Sequence, residues 1–128
     1  MVGTMRPRRP ILLVEDDSDV REAMASLFEL DGYSVVTASD GEEALDRLQR
    51  GLEPCLILLD LMMPRKDGLQ FRAEVVKYPD LAQIPTIAYS GYTDLKDRAA
   101  ALGIVTFVPK PVDFDTLLDL VEGQCRQD

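Results

Sequence analysis

The sequence predicts an α/β domain built on a parallel five-stranded sheet, and three observations carry that prediction. Five short apolar runs, at residues 11–14, 34–38, 56–59, 86–89 and 105–108, are rich in Ile, Leu and Val and mostly unbroken by polar residues. Strands covered on both faces read this way. Amphipathic stretches separate the runs, and regular alternation of this kind places helices on both faces of a parallel sheet. Finally, the polar residues that follow the runs are chemically special. Val14 leads into Glu15-Asp16-Asp17, Leu59 into Asp60, Tyr89 into Ser90-Gly91, and Val108 into Pro109-Lys110-Pro111.

The helical stretches have recognisable ends. The first, 18–30, carries Val20, Met24, Leu27 and Phe28 on one stripe and stops at Asp31-Gly32; Asp17 and Ser18 both qualify as its cap. The second, 41–50, follows Asp40 as a cap and ends at Gly51. The third, 69–77, closes at Tyr78-Pro79, the fourth, 93–102, at Gly103, and the fifth, 114–125, begins after Asp113 or Asp115. Connections between parallel strands are right-handed, and a doubly wound sheet of five strands commonly takes the order 2-1-3-4-5. In that order Glu15, Asp16, Asp60, Ser90 and Lys110 meet at the carboxyl edge, where open α/β folds bind ligands.

Composition narrows the function. At 128 residues the chain is long enough for one domain with a sizeable core. We expect a flexible tail at 1–9, with its basic Arg6, Arg8 and Arg9, and the folded domain at 10–126. A net charge of −9 opposes direct nucleic-acid binding, which needs basic surface. No apolar run approaches the ~20 residues of a membrane span, and the N-terminus has no signal-peptide core. Cys55 and Cys125 fit neither a metal spacing nor a disulfide framework, so reduced thiols in a cytoplasm are expected. The chain has no histidine, which removes a histidine base, ligand or phosphodonor.

Singly, each polar feature has an ordinary reading. Acids after a strand often cap a helix, Ser-Gly is a common turn, Pro-Lys-Pro is a stiff loop, and Phe107 is plain core. Asp60 resists such a reading: it ends a buried run, and Pro64 postpones any helix it could cap. A buried carboxylate costs several kcal/mol unless something compensates it. Three carboxylates at ~5 Å repel by roughly 3 kcal/mol per pair, and a divalent cation reverses that sign. The set suits an aspartate that binds such a cation and accepts a phosphoryl group.

Taken in order, Ile-Leu-Leu-Val-Glu15-Asp16-Asp17, Leu-Leu-Asp60-Leu-Met-Met-Pro64 with Asp67-Gly68, Ala-Tyr-Ser90-Gly91 and Phe107-Val-Pro-Lys110-Pro111 resemble the receiver domain of two-component response regulators, of the chemotaxis-regulator type. The resemblance covers nearly the whole chain. It implies a flavodoxin-like fold of five strands and five helices. It implies Asp60 as phosphoacceptor and Glu15 and Asp16 as the acidic pair for Mg²⁺ or Mn²⁺, with Asp16 the direct ligand. The Met62 carbonyl would be a further ligand. Lys110 would contact the phosphoryl group, Ser90 and Phe107 would form the switch, and Gly91 and Tyr92 would stand at the site mouth. A cis Lys110–Pro111 bond also follows from it. The implied partners are a histidine kinase or histidine phosphotransfer protein and a downstream effector that the chain does not identify.

The implied activity is a signalling switch with only slow self-catalysed phosphoryl chemistry. A phosphatase of the haloacid dehalogenase type would need an acid two positions after its nucleophile, and Met62 stands there. A flavodoxin would carry a Ser/Thr/Gly-rich phosphate loop after the first strand, where this chain is acidic. A Walker loop is absent. A phosphorylation-independent pseudo-receiver is disfavoured by the complete residue set. The chain ends one helix after Lys110, which fits both a stand-alone receiver and a segment of a longer protein. The Asp-Asp-Tyr sequence that DNA-binding relatives use for pairing is missing from the fifth strand.

Overall fold

In the computed structural model, residues 9–63, 67–91 and 94–125 are described. Tyr92, most of the expected tail and residue 126 lie outside them. The elements run β1 Ile11–Val14, α1 Ser18–Leu30, β2 Val35–Ala38, α2 Gly41–Gln49, β3 Leu56–Asp60, α3 Gly68–Val75, α4 Pro79–Ala82, β4 Thr86–Ser90, α5 Leu95–Ala101, β5 Thr106–Pro109 and α6 Phe114–Cys125. All strand pairs are parallel, in the order β2-β1-β3-β4-β5.

Both central faces are dry. Every residue of β1 and β3 is buried, whereas the edge strands β2 and β5 are only partly so. On one face Leu12, Val14, Ile57, Leu59 and Ala88 pack against α2, α3 and α5 through Ala44, Leu48, Phe71, Val75 and Ala99. On the other, Ile11, Leu13, Leu58, Ile87 and Tyr89 meet Phe28 of α1 and Leu117 and Val121 of α6. Each fully buried large side chain of this kind stabilises the fold by roughly 1.5–3 kcal/mol.

The helix ends follow local chemistry. Asp17, rather than Ser18, caps α1 by accepting from the amides of Asp19 and Val20. Asp40 caps α2 through the Glu43 amide, and Asp67 with Gln70 forms a capping box on α3. At the start of α6 the Asp113 carboxylate accepts from the Thr116 hydroxyl at 2.8 Å.

Three expectations are corrected. A sixth, four-residue helix, α4, starts at Pro79, because proline is well suited to a first helical position even where it closes the preceding helix. Val20 and Leu27 do not share the buried stripe of α1: they are 40% and 42% exposed, and Phe28 with Met24 and Ala25 faces the core instead. Most importantly, Cys55 and Cys125 are joined in a disulfide rather than held as separate thiols. The fold brings the residue before β3 against the last turn of α6, with Cα atoms 5.3 Å apart. A separation of 70 residues in sequence hides that proximity.

Candidate functional site

The carboxyl edge of the sheet gathers the polar residues that follow its strands. Glu15 comes directly after β1, and its amide still bonds to Ala38 O at 3.0 Å, alongside β2. Its side chain is buried and doubly held. Oε1 accepts the Tyr89 hydroxyl at 2.8 Å, and Oε2 accepts the Asp17 amide at 3.0 Å. Arg21, one turn into α1, donates to the carbonyls of Glu15 at 2.9 Å and Asp16 at 3.4 Å. The acidic loop is therefore fixed by α1, while the Asp16 side chain remains exposed.

Asp60 is the last residue of β3 and is buried. Its Oδ1 accepts the Met62 amide at 3.0 Å, and Lys110 Nζ lies 3.5 Å from its Oδ2. That amide contact sets the half-exposed Met62 beside the carboxylate. The first residue of α3 returns to the end of β3, where Gly68 N bonds to Leu61 O at 3.2 Å.

Ser90 ends β4 fully buried, and its carbonyl accepts the Lys110 amide at 2.9 Å. This bond anchors the lysine at the end of β5. The Lys110–Pro111 peptide is cis, as expected. The Lys110 ammonium stands 5.4 Å from the centre of the Tyr89 ring, within cation–π range. Phe107 pairs with Ala88 in register and is partly buried against the α2, α3 and α5 side. Gly91 is exposed, with open space where a Cβ would project.

Electrostatically the site is short of positive charge. Carboxylate oxygens of Glu15, Asp16 and Asp60 lie within 4.8 Å of one another. Burial pushes the Asp60 carboxyl above its ordinary range; the Met62 amide and Lys110 oppose that rise, and Asp16 adds to it. Glu15 is likewise raised, first by burial, against the pull of the Asp17 amide and Tyr89. Two such charges at this spacing repel by about 3 kcal/mol at an effective dielectric of 20, and one lysine does not balance three acids. The donor set, all hard oxygen and partly open to solvent, is compatible with a divalent metal.

The expected set Glu15, Asp16, Asp60, Ser90 and Lys110 thus lies together at one edge. Asp17, the next acid in the run, stands outside that set and caps α1. Sequence reasoning missed Tyr89 and Arg21. A tyrosine inside an otherwise aliphatic run was the available signal, because a buried phenol needs a hydrogen-bond partner.

The response regulator receiver domain profile matches residues 11–122. An uncharacterized 14.6 kDa protein in the sodA1 3' region of Leptolyngbya boryana is 38% identical over 117 residues, spanning 90% of this chain and 88% of that protein. Response regulator MprA of Mycobacterium leprae (strain TN) is 34% identical over 119 residues, or 91% of this chain. The chain spans only about half, 51%, of MprA's length. Among solved structures, a response regulator receiver protein from Pseudomonas putida superposes with a TM-score of 0.85 at 31% identity, covering 93% of this chain and 99% of that one. Vibrio cholerae chemotaxis protein CheY4 gives 0.83 at 27% identity, covering 91% and 98%. With its sheet order, its acidic edge and these matches, the chain belongs to the response regulator receiver domain family of two-component signal transduction.

Proposed function

We propose that this domain is a phosphorylation-driven switch in which Asp60 takes a phosphoryl group from a histidine kinase or histidine phosphotransfer protein. The observation that carries the reading is the convergence of Glu15, Asp16 and Asp60 with the Lys110 ammonium 3.5 Å from the Asp60 carboxylate. Asp16 and Asp60, with the Met62 carbonyl, would hold Mg²⁺, or Mn²⁺ in its place; Glu15 would support them. The bound ion would supply charge neutralisation for phosphoryl oxygens.

The chain's own groups do the rest. An Asp60 carboxylate oxygen attacks phosphorus in line, a P–O bond forms, and the donor's P–N bond breaks. The histidine leaves with the electron pair and takes up a proton, and an acyl phosphate remains. Lys110 contacts the transferred group as a second cation, and Ser90 donates a hydrogen bond to one of its oxygens. Water later attacks phosphorus and releases inorganic phosphate and the Asp60 carboxylate. This slow self-catalysed reaction resets the domain.

The signal passes through Ser90 and Phe107. As Ser90 follows the phosphoryl oxygens, space opens behind β4 and Phe107 turns further inward. Its gain is apolar burial, at most roughly 1.5–3 kcal/mol for a full side chain. The face of α5, β5 and α6 then changes for a downstream partner. The net charge of −9 favours a protein partner over nucleic acid. No described helix is long and apolar enough to cross a membrane. The proposed role is that of a cytoplasmic domain, in a compartment where disulfides are rare; Cys55 and Cys125 are buried.

Mass spectrometry after incubation with acetyl phosphate tests the reading. One added phosphoryl group is expected in wild type only with Mg²⁺ or Mn²⁺, and none in Asp60→Asn. Full labelling of the Asn variant would remove Asp60 from the role.

A further inference from the structure

We infer that Tyr89 is a positioning residue that sets the metal preference of the acidic site, favouring a small hydrated ion such as Mg²⁺ over Ca²⁺. The inference rests on the proposed metal site and concerns a residue that the phosphoryl chemistry does not use. Tyr89 is 1% exposed and lies between Glu15 of that site and the neighbouring Lys110. Its hydroxyl donates to Glu15 Oε1 at 2.8 Å, and its ring lies under the Lys110 ammonium, 5.4 Å from Nζ. The Asp17 amide occupies the other Glu15 oxygen at 3.0 Å. Both oxygens of Glu15 therefore have a donor from the protein, and its carboxylate is held from two directions.

The consequence follows from what each ion requires. Ca²⁺ takes 6–8 oxygen ligands in adaptable geometry and exploits carboxylates that rotate into bidentate contact. Mg²⁺ keeps several waters and takes one or two carboxylates. A Glu15 pinned by Tyr89 and the Asp17 amide cannot swing to offer an oxygen to the ion, so the site stays poor in direct ligands. Removing the hydroxyl frees Oε1 while the ring stays in place beneath Lys110. Outer partners of this kind typically change metal affinity by ~10–100-fold when lost.

The test is titration of purified protein with Mg²⁺ alone and Ca²⁺ alone, followed by amide chemical shifts. Tyr89→Phe should shift the ratio of the two affinities toward Ca²⁺ by about tenfold. In a Glu15→Ala background the same substitution should leave the ratio unchanged, because Tyr89 acts through Glu15. Equal affinities in wild type and Tyr89→Phe, or an equal loss for both ions, would overturn the inference. Asp16→Asn separates it from the underlying reading: if that variant binds Mg²⁺ as tightly as wild type, the metal site itself is misplaced. Should Tyr89→Phe fail to fold, the wild type still decides. Its Tyr89 Cζ resonance should keep its hydrogen-bonded position at saturating Mg²⁺. Movement to the free-phenol value would mean that the ion takes Glu15 Oε1, and the inference would fall.

Discussion

A Cβ added to Gly68 would lie 2.6 Å from the backbone oxygen of Asp60. The first residue of α3 therefore packs directly on the peptide of the proposed phosphoacceptor. The Leu61 Cα would also be 2.6 Å away and the Leu61 Cδ2 2.9 Å, so rotating the leucine side chain would leave two backbone clashes in place. Gly68→Ala should destabilise the fold by about 1–3 kcal/mol, the usual range for overpacking. It should also slow labelling by acetyl phosphate. Urea denaturation and mass spectrometry check the two effects; an unchanged midpoint would show that α3 can move freely away.

Asp60→Asn should make the metal-free protein more stable at pH 7, by on the order of 1 kcal/mol or more, because it removes carboxylate repulsion. The sign follows from the raised carboxyl of Asp60. A carboxyl raised on folding disfavours the folded state increasingly as pH climbs through its unfolded and then its folded value. The advantage of the Asn variant should therefore shrink as pH falls toward 4, and millimolar Mg²⁺ should shrink it by stabilising wild type. Thermal melts with and without the ion decide it.

Glu43 has the opposite sign. Its carboxylate accepts from the Ser39 amide at 2.7 Å, the Ser39 hydroxyl at 3.0 Å and Arg47 at 3.0 Å. The Ser39 amide first, then the other donors against some burial, hold it below the ordinary range. Its contribution is present above the unfolded value near 4.5 and is lost as pH falls through the lower folded value. Glu43→Gln should cost about 1 kcal/mol at pH 7, allowing for its partial exposure. The difference from wild type should vanish in melts below that range.

Ser90→Ala should still accept a phosphoryl group on Asp60 but transmit it poorly. The measurement is the chemical-shift change across α5, β5 and α6 on adding beryllofluoride as a phosphoryl mimic. Identical changes in wild type and variant would exclude this route while leaving the Asp60 assignment intact.

Cys125→Ser should lower stability. Closing a loop of 70 residues removes unfolded-state entropy worth roughly 4 kcal/mol in the loop-closure account. Reductant should bring wild type down to the variant in urea melts. A midpoint that ignores both changes would mean that the cysteines stay unpaired in solution.

The sheet and its acidic edge were legible because they depend on local signals. Continuous runs such as Ile11–Val14 and Leu56–Asp60 announce strands buried on both faces, and a carboxylate that ends a buried run with no helix close enough to cap, as Asp60 does, calls for a compensating partner. What stayed hidden depends on distance in space. The Cys55–Cys125 bond needs the path of α6, and the Tyr89–Glu15 contact joins residues 74 apart. The orientation of α1 was misjudged for a related reason. Val20 and Leu27 look like core by spacing, but the face of α1 that meets the sheet is the one carrying Phe28, Met24 and Ala25.

The disulfide divides the molecule into a covalent ring and an open arm. The ring, closed at Cys55 and Cys125, contains Asp60, Ser90 and Lys110. The arm carries Glu15 and Asp16, and in the sheet it meets the ring where β1 pairs with β3. The proposed centre is thus a clasp across that seam, assembled only when the arm docks. Tyr89 reaches from the ring to Glu15 on the arm, a side-chain latch at the site itself that adds to the backbone pairing of β1 with β3. A cation held by Asp16 and Asp60 would be the second latch. Peeling β1 from β3 would disarm the centre while the ring stayed shut.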